Sequence, residues 1–229
     1  MSILGSHSSP SRGSPLEIAA IALLGVASYL IGSITPAYYL VSFFKKSDIR
    51  TVGSRNVGTL NTYHQLGVEW AALVLIFDAG KGVIAVLLPG WIGLPDWAVF
   101  VTGALVIAGH NWPVVLRFKG GKGAATLIGL LLGILPVATL IAAVPGILAL
   151  ILARNGIVGL TAGFITVNVL VIVAWIFGFA WLVPNPGLLP FLFSLLLTLL
   201  VTVVYGVSIR GQLMEAVRQR SLRQAFYGS

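Results

Sequence analysis

From Phe118 to Thr126 the chain reads F-K-G-G-K-G-A-A-T, a cationic turn with glycine at positions 120, 121 and 123, set between two long apolar stretches. Glycines leave backbone N–H groups unshielded by side chains, and Lys119 and Lys122 add positive charge, so the segment has the makings of a cradle for an anion. An anionic head group at a membrane surface is the natural ligand. The same residues also fit a second reading, an anchor of positive charge on flexible glycines beside the membrane. The turn is not a Walker A loop, because Gly123 follows Lys122 where that motif needs Ser or Thr, so nucleotide hydrolysis finds no support.

Three further sets of polar residues could do chemistry. The run Gly53-Ser54-Arg55-Asn56-Val57-Gly58-Thr59-Leu60-Asn61 can turn sharply and present N–H, hydroxyl and carboxamide donors; it equally fits a polar re-entry turn with Asn capping the next helix. Asp78 and Lys81 stand three apart in otherwise apolar sequence, on one helix face, as a structural ion pair or as part of a site. Gly109-His110-Asn111-Trp112-Pro113 sets an imidazole and an amide just ahead of the Lys-Gly turn; His110 reads as a hydrogen-bonded packing residue or as an acid or base.

The elements that must position these residues are membrane helices. Hydrophobic residues make up 58% of the chain and charged ones 9%, and the mean hydropathy is +1.01, values of a polytopic membrane protein. No cysteine is present, which excludes disulfides and thiolate metal sites, and nothing in the pattern calls for a cofactor or a metal. Runs of the length needed to cross the hydrocarbon extend from about Leu16 to Phe44, Leu66 to Leu88, Trp97 to Leu116, Ile157 to Leu182 and Leu188 to Ile209. Between Lys122 and Arg154 lies a longer apolar stretch, either one tilted helix or two short ones broken near Pro136 or Pro145.

Charge decides between these. The loop 45–64 carries Lys45, Lys46, Arg50 and Arg55, the turn carries Arg117, Lys119 and Lys122, and the tail after Ile209 carries four arginines, whereas the connections 89–96 and 183–187 carry no Lys or Arg. All basic segments fall on the cytoplasmic side only if the middle stretch crosses twice. The expected fold is therefore all-α, with seven transmembrane helices, two of them short, the N-terminus outside and the C-terminus cytoplasmic. Residues 1–15, rich in Ser, Gly and Pro, read as a disordered tail, 16–209 as the transmembrane domain, and 210–229 as a basic amphipathic tail on the inner leaflet. Gly129 with Gly133, and Gly159 with Gly163, fit small-xxx-small packing faces. The net charge of +8 lies in short membrane-proximal loops and is explained by topology and anionic lipid, not by nucleic acid.

Taken together, these segments resemble the bacterial integral-membrane glycerol-3-phosphate acyltransferases that use acyl-phosphate as donor. The similar pieces are Gly32 to Tyr38, Gly53 to Asn61 against a pattern G-S-G-N-x-G-A-T-N, Asp78 with Lys81-Gly82, and Gly109-His110 through Thr126. The resemblance implies transfer of a fatty acyl group to the sn-1 hydroxyl of glycerol 3-phosphate, giving lysophosphatidic acid for phospholipid synthesis, in the bacterial cytoplasmic (inner) membrane. It implies that Ser54, Asn56, Gly58 and Asn61 line the acyl-phosphate site with Gly120, Gly121 and Lys122, and that Lys122 holds the glycerol phosphate. His64, Asp78, Lys81, His110 and Asn111 would serve the acceptor or support the site.

The chain departs from the pattern at Arg55 (Gly in the family), Leu60 (Thr) and His64 (Arg), and Ser208-Ile209-Arg210-Gly211-Gln212 lacks the family's C-terminal His/Asn pair. A second functional reading is thus a fold relative without turnover, acting as a transmembrane subunit or lipid-binding element of a larger membrane complex. A transporter or channel is a weaker third, since the Asp78–Lys81 pair and the lack of polar spacing along the other spans offer no continuous pathway.

Overall fold

A computed structural model describes residues 14–184 and 187–218, and among them it is helical throughout, without strands. Two compact units follow one another in the chain, dividing after Ile134.

In the first unit, helix α1 (Pro15–Ser33) starts on Ser14, whose hydroxyl accepts the Glu17 N–H, with Pro15 at the first helical position where its missing N–H is harmless. The rest of the expected N-terminal tail lies outside the described residues. The apolar run expected to form one helix to Phe44 is instead two, α1 and α2 (Pro36–Lys45). The reason is Pro36: a continuing helix would need its N–H to serve the carbonyl of Gly32, and proline has none. Helix α3 (Thr59–Leu66) is joined through Gly67, at φ 93°, to α4 (Val68–Trp91). Helix α5 (Ala98–Asn111) runs into a single 3₁₀ turn at Val114–Leu116, and α6 (Ala124–Ile134) closes the unit. Helix α1 packs on α5, and α4 on α3, α5 and α6.

The middle stretch breaks before Pro136. Helix α6 has 11 residues, rising about 16 Å, too little to cross the hydrocarbon by itself. Its successor α7 (Pro136–Ala153) passes through Pro145 without stopping and, at 18 residues, is a full candidate span, so only one of the two expected short helices is short. Among the described residues, six segments are long and apolar enough to cross a membrane, and Ala124–Ile134 is a shorter apolar helix.

The second unit contains α7, α8 (Gly156–Phe177) and α9 (Leu188–Arg218). Asn155 caps α8 by accepting from the Ile157 and Val158 N–H groups. Helices α7 and α8 approach through glycine: a Cβ on Gly146 would stand 3.1 Å from the Gly159 carbonyl oxygen. Asn168 on α8 joins α9 by accepting from the Ser194 hydroxyl at 2.8 Å and facing the Thr198 hydroxyl at 3.3 Å, a polar tie of the sort that holds helices in lipid. The backbone of α9 continues past Ile209 to Arg218; of the basic amphipathic tail, the side chains of 211–218 and all of 219–229 lie outside the described residues.

The glycine faces behave as the spacing implies. A Cβ on Gly129 would collide with the backbone of Ala79, and one on Gly133 with Val86, so α6 lies directly on α4. Gly129→Ala must part the two helices at backbone, a strain of about 1–3 kcal/mol that should lower the unfolding temperature of the detergent-solubilised protein by about 2–10 °C. Gly80→Ala, on α4 at a position with nothing within 4 Å, should leave it unchanged or raise it.

Candidate functional site

The residues singled out from sequence all fall in the first unit, and two loops and one buried charge cluster bring most of them together. The loop between α2 and α3 is built around Asn61. Its carboxamide, fully buried, donates from Nδ2 to the carbonyls of Ile49 (3.1 Å), Val52 (3.1 Å) and Asn56 (3.0 Å), and its Oδ1 accepts from the Ser54 N–H at 3.3 Å. Asn61 is thus an internal scaffold that reaches back from α3, with both ends of its amide occupied by the loop. The helix it sits in is capped by Gly58, without a side-chain cap, so the Asn-cap reading does not hold. Below the loop, Val57, Ile49 and Leu116 belong to one apolar cluster with Ala37, Val41 and Val74. At its outer edge Ser54 and Arg55 are exposed and Asn56 is half-buried. Gly53 has φ 55° and Arg55 φ 58°, left-handed conformations that a glycine adopts freely and an arginine adopts at a cost of about 1–2 kcal/mol.

Arg50 fastens this loop to the next. Its guanidinium grips Asp48 through Nε and Nη2, lies 5.2 Å from the Tyr38 ring centre and donates through Nη1 to the Leu116 carbonyl at 2.9 Å. The bidentate Arg50 fork lowers the Asp48 carboxyl pKa, and Asp48 in turn raises that of Arg50.

The Lys-Gly turn folds back on the end of α5. The N–H of Gly120 donates to the Asn111 carbonyl (3.1 Å) and that of Gly121 to the His110 carbonyl (3.0 Å). These two amides are therefore spoken for, and the turn's positive charge comes from Lys119 and Lys122, just ahead of the N-terminus of α6. Glycine is required here for approach: a Cβ on Gly121 would run into the His110 Nε2 and stand 2.6 Å from the Val57 carbonyl oxygen, and one on Gly120 would strike the His110 carbonyl and the Pro113 ring. Gly123, at φ 79°, sits against the Asn111 carboxamide, whose nitrogen and oxygen are buried without a hydrogen-bond partner among the described residues. Lys122 is half-buried, and desolvation lowers its pKa to about 8.

Beneath the turn lies the charge cluster. Lys81 Nζ is 2.7 Å from Asp78 Oδ1 and 2.9 Å from His110 Nδ1, and it donates to the carbonyls of Gly32 (3.0 Å) and Ile34 (3.1 Å). Asp78 Oδ1 is also 3.4 Å from His110 Nδ1. Asp78, Lys81 and His110 are all at most 3% exposed. The i, i+3 pair was legible in the sequence; the histidine 29 residues further on was not joined to it, because only the packing of α4 on α5 does so. Tyr29, which no pattern marked, secures the same region by donating its hydroxyl hydrogen to the Trp112 carbonyl at 2.7 Å. His64 lies apart from this centre, exposed on α3 and edge-on to Tyr63. Among the described residues no group of three or more His, Asp or Glu could hold a metal ion.

A family model described as "Glycerol-3-phosphate acyltransferase" matches residues 22–214. The chain is similar to "Glycerol-3-phosphate acyltransferase 4" of Dehalococcoides mccartyi, 49% identical over 116 residues, which are 51% of this chain and 50% of that one. It is also similar to the "Glycerol-3-phosphate acyltransferase" of Thermoanaerobacter pseudethanolicus, 39% identical over 153 residues, 67% of this chain and 77% of that one. Its alignments thus span about half the length of some of these relatives and about three-quarters of others. In fold it is similar to the crystal structure of PlsY (YgiH), an integral membrane glycerol 3-phosphate acyltransferase, in its glycerol 3-phosphate form: TM-score 0.72, 26% identity, covering 86% of this chain and 93% of that one.

Asn61→Asp replaces the amide's hydrogens with a negative oxygen facing three carbonyls. It should destabilise the loop by about 2–4 kcal/mol, read as a lowered unfolding temperature and faster proteolysis between Lys46 and Thr59, with Asn61→Ala close behind.

Proposed function

The chain belongs to the glycerol-3-phosphate acyltransferase family, and from that premise we propose that it transfers a fatty acyl group from acyl-phosphate to the sn-1 hydroxyl of glycerol 3-phosphate. The acceptor's oxygen forms a bond to the acyl carbon, the bond from that carbon to the phosphate oxygen breaks, and lysophosphatidic acid and phosphate leave with the hydroxyl proton released. Acyl-phosphate arrives already activated, so the protein has to hold two phosphates, align the hydroxyl and stabilise charge as it shifts.

One observation carries this reading. Gly121 rests on the Val57 carbonyl and the His110 imidazole, so the Ser54–Gly58 loop and the Lys119–Gly123 turn form one continuous surface. That surface holds Ser54, Arg55 and Asn56 on one side and Lys122 on the other, hydroxyl, amide and cations suited to phosphate. In this reading Lys122 is the principal phosphate ligand, Ser54 and Asn56 hold the donor, and Gly58, Gly120 and Gly121 supply close approach. Asn61 contributes by shaping the loop. In this reading the basic loops and the C-terminus face the cytoplasm of a bacterial inner membrane and the N-terminus lies outside, an arrangement in which the short α6, packed on α4, completes a seventh crossing.

Purified protein given palmitoyl-phosphate and radiolabelled glycerol 3-phosphate should release labelled lysophosphatidic acid, and Lys122→Ala should reduce kcat/KM by at least about a hundredfold. A wild-type preparation that binds neither substrate and makes no product sinks the proposal. The pH dependence gives a second check. A lysine with pKa near 8 is cationic below that value and loses its charge as pH rises through it, so kcat/KM should fall between pH 7.5 and 9. Lys122→Arg, which stays charged, should flatten that fall even if it is slower overall.

A further inference from the structure

The charge cluster lies below the proposed phosphate surface, and substrate has no direct path to Lys81, which is 3% exposed. One of its connections, through His110, nevertheless leads to that surface. Four groups share its ammonium: the Asp78 carboxylate, the carbonyls of Gly32 and Ile34, and His110 Nδ1. Nδ1 stands 2.9 Å from the ammonium and 3.4 Å from Asp78 Oδ1; the shorter contact is to a group that only donates, which favours Nδ1 as acceptor and the ring's own hydrogen on Nε2 over the tautomer that would donate Nδ1–H to Asp78. Nε2 lies under Gly121, at the point where the Val57 carbonyl also arrives. A hydrogen there faces a carbonyl oxygen favourably; a lone pair there would be repelled by it. With the opposite tautomer the same ring would push the loop and the turn apart.

We propose that Lys81 is a positioning residue for the transfer reaction: by holding His110 with its hydrogen on Nε2, it seats Gly121 against Val57 and so fixes where Lys122 meets phosphate. The inference rests on the reading of the 119–123 turn as a phosphate seat. It makes Lys81 act through His110 and makes Asp78 the counter-charge that allows an ammonium to stay buried.

Removing Lys81 alone would leave Asp78 buried without its partner, so the test uses Asp78→Asn with Lys81→Met, which keeps volume and removes both charges. In ¹⁵N-histidine-labelled protein, where the chain's other histidines are His7 and His64, the His110 resonances should report a protonated Nε2 and a bare Nδ1 in the wild type. In the double variant they should shift towards a mixture of tautomers. The unfolding temperature should move by a few degrees at most, whereas affinity for inorganic phosphate should fall about tenfold and KM for glycerol 3-phosphate should rise by a similar factor, with kcat changing less than about threefold. Adding His110→Asn to the double variant should cause little further loss, because the two sites act in series.

A wild-type His110 protonated on Nδ1 overturns the proposal without any variant being needed. So does a folded double variant whose phosphate affinity and KM equal those of the wild type, or a triple variant whose loss is the product of the separate losses. Failure of the function proposal looks different: there the wild type itself neither binds phosphate nor makes product.

Discussion

The fold of the first unit turns on a carbonyl that a proline cannot serve. In lipid, a backbone oxygen without a hydrogen-bond donor is several kcal/mol worse off, and water is not at hand to fill the need. Pro36 has no N–H for Gly32, and the N–H of Tyr38 goes to Thr35, so the carbonyls of Gly32 and Ile34 both look elsewhere. They find Lys81. A cation at the C-terminal end of α1 also meets the negative end of its dipole, so the break between α1 and α2 and the burial of Lys81 stabilise each other. Asp78, one helical turn away on α4, makes the arrangement electrically neutral.

From that ammonium the rest of the unit can be traced outwards. Helix α4 supplies Lys81, and α6 is pressed onto the same helix through Gly129, which fixes where α6 begins and hence where the Lys-Gly turn ends. Helix α5 supplies His110, whose ring reaches the turn from below while the carbonyls of His110 and Asn111 hold its backbone. The loop after α2 arrives from the other side, stiffened by Asn61 and tied down by Arg50. Each contact uses a group that would otherwise be left without a partner, and each narrows the positions open to the next.

How much of this could be read from the residues depended on the range of the interaction. Apolar runs bounded by basic loops gave the spans, since crossing length is a property of contiguous sequence. A break at Pro136 or Pro145 was legible for the same local reason, but which of the two was not: α7 starts at Pro136 and runs through Pro145. The break at Pro36 was equally local but hidden, because hydrophobicity continues through Ile34 and up to Phe44, and span length says nothing about a missing donor. Asn61 illustrates a different limit. A carboxamide beside small residues in a polar loop offers itself as a ligand, and only the folded loop reveals four backbone groups already using it. The glycines of the turn mislead in the same way: they are needed because His110 and Val57 come close, and two of their N–H groups are thereby consumed. The joining of His110 to the Asp78–Lys81 pair required the packing of two helices, which no spacing rule contains.

Within the first unit, the departures from the family pattern fall on one side of a physical division. Asn61, Asp78, Lys81, His110 and Gly121 are buried and hold the frame together, and the chain keeps all of them. Arg55, Leu60 and His64 are exposed, at the outer edge of the same loop and along α3. A change among the buried set would leave a partner stranded and move the surface; a change among the exposed set alters only what that surface shows to a ligand. Arg55 is the informative case. It occupies a left-handed position, φ 58°, that suits glycine, so the backbone path of the loop is preserved although the residue that would follow it most easily is gone. In the first unit the chain therefore pairs an intact buried frame with an altered outer edge, carrying arginine at 55, leucine at 60 and histidine at 64.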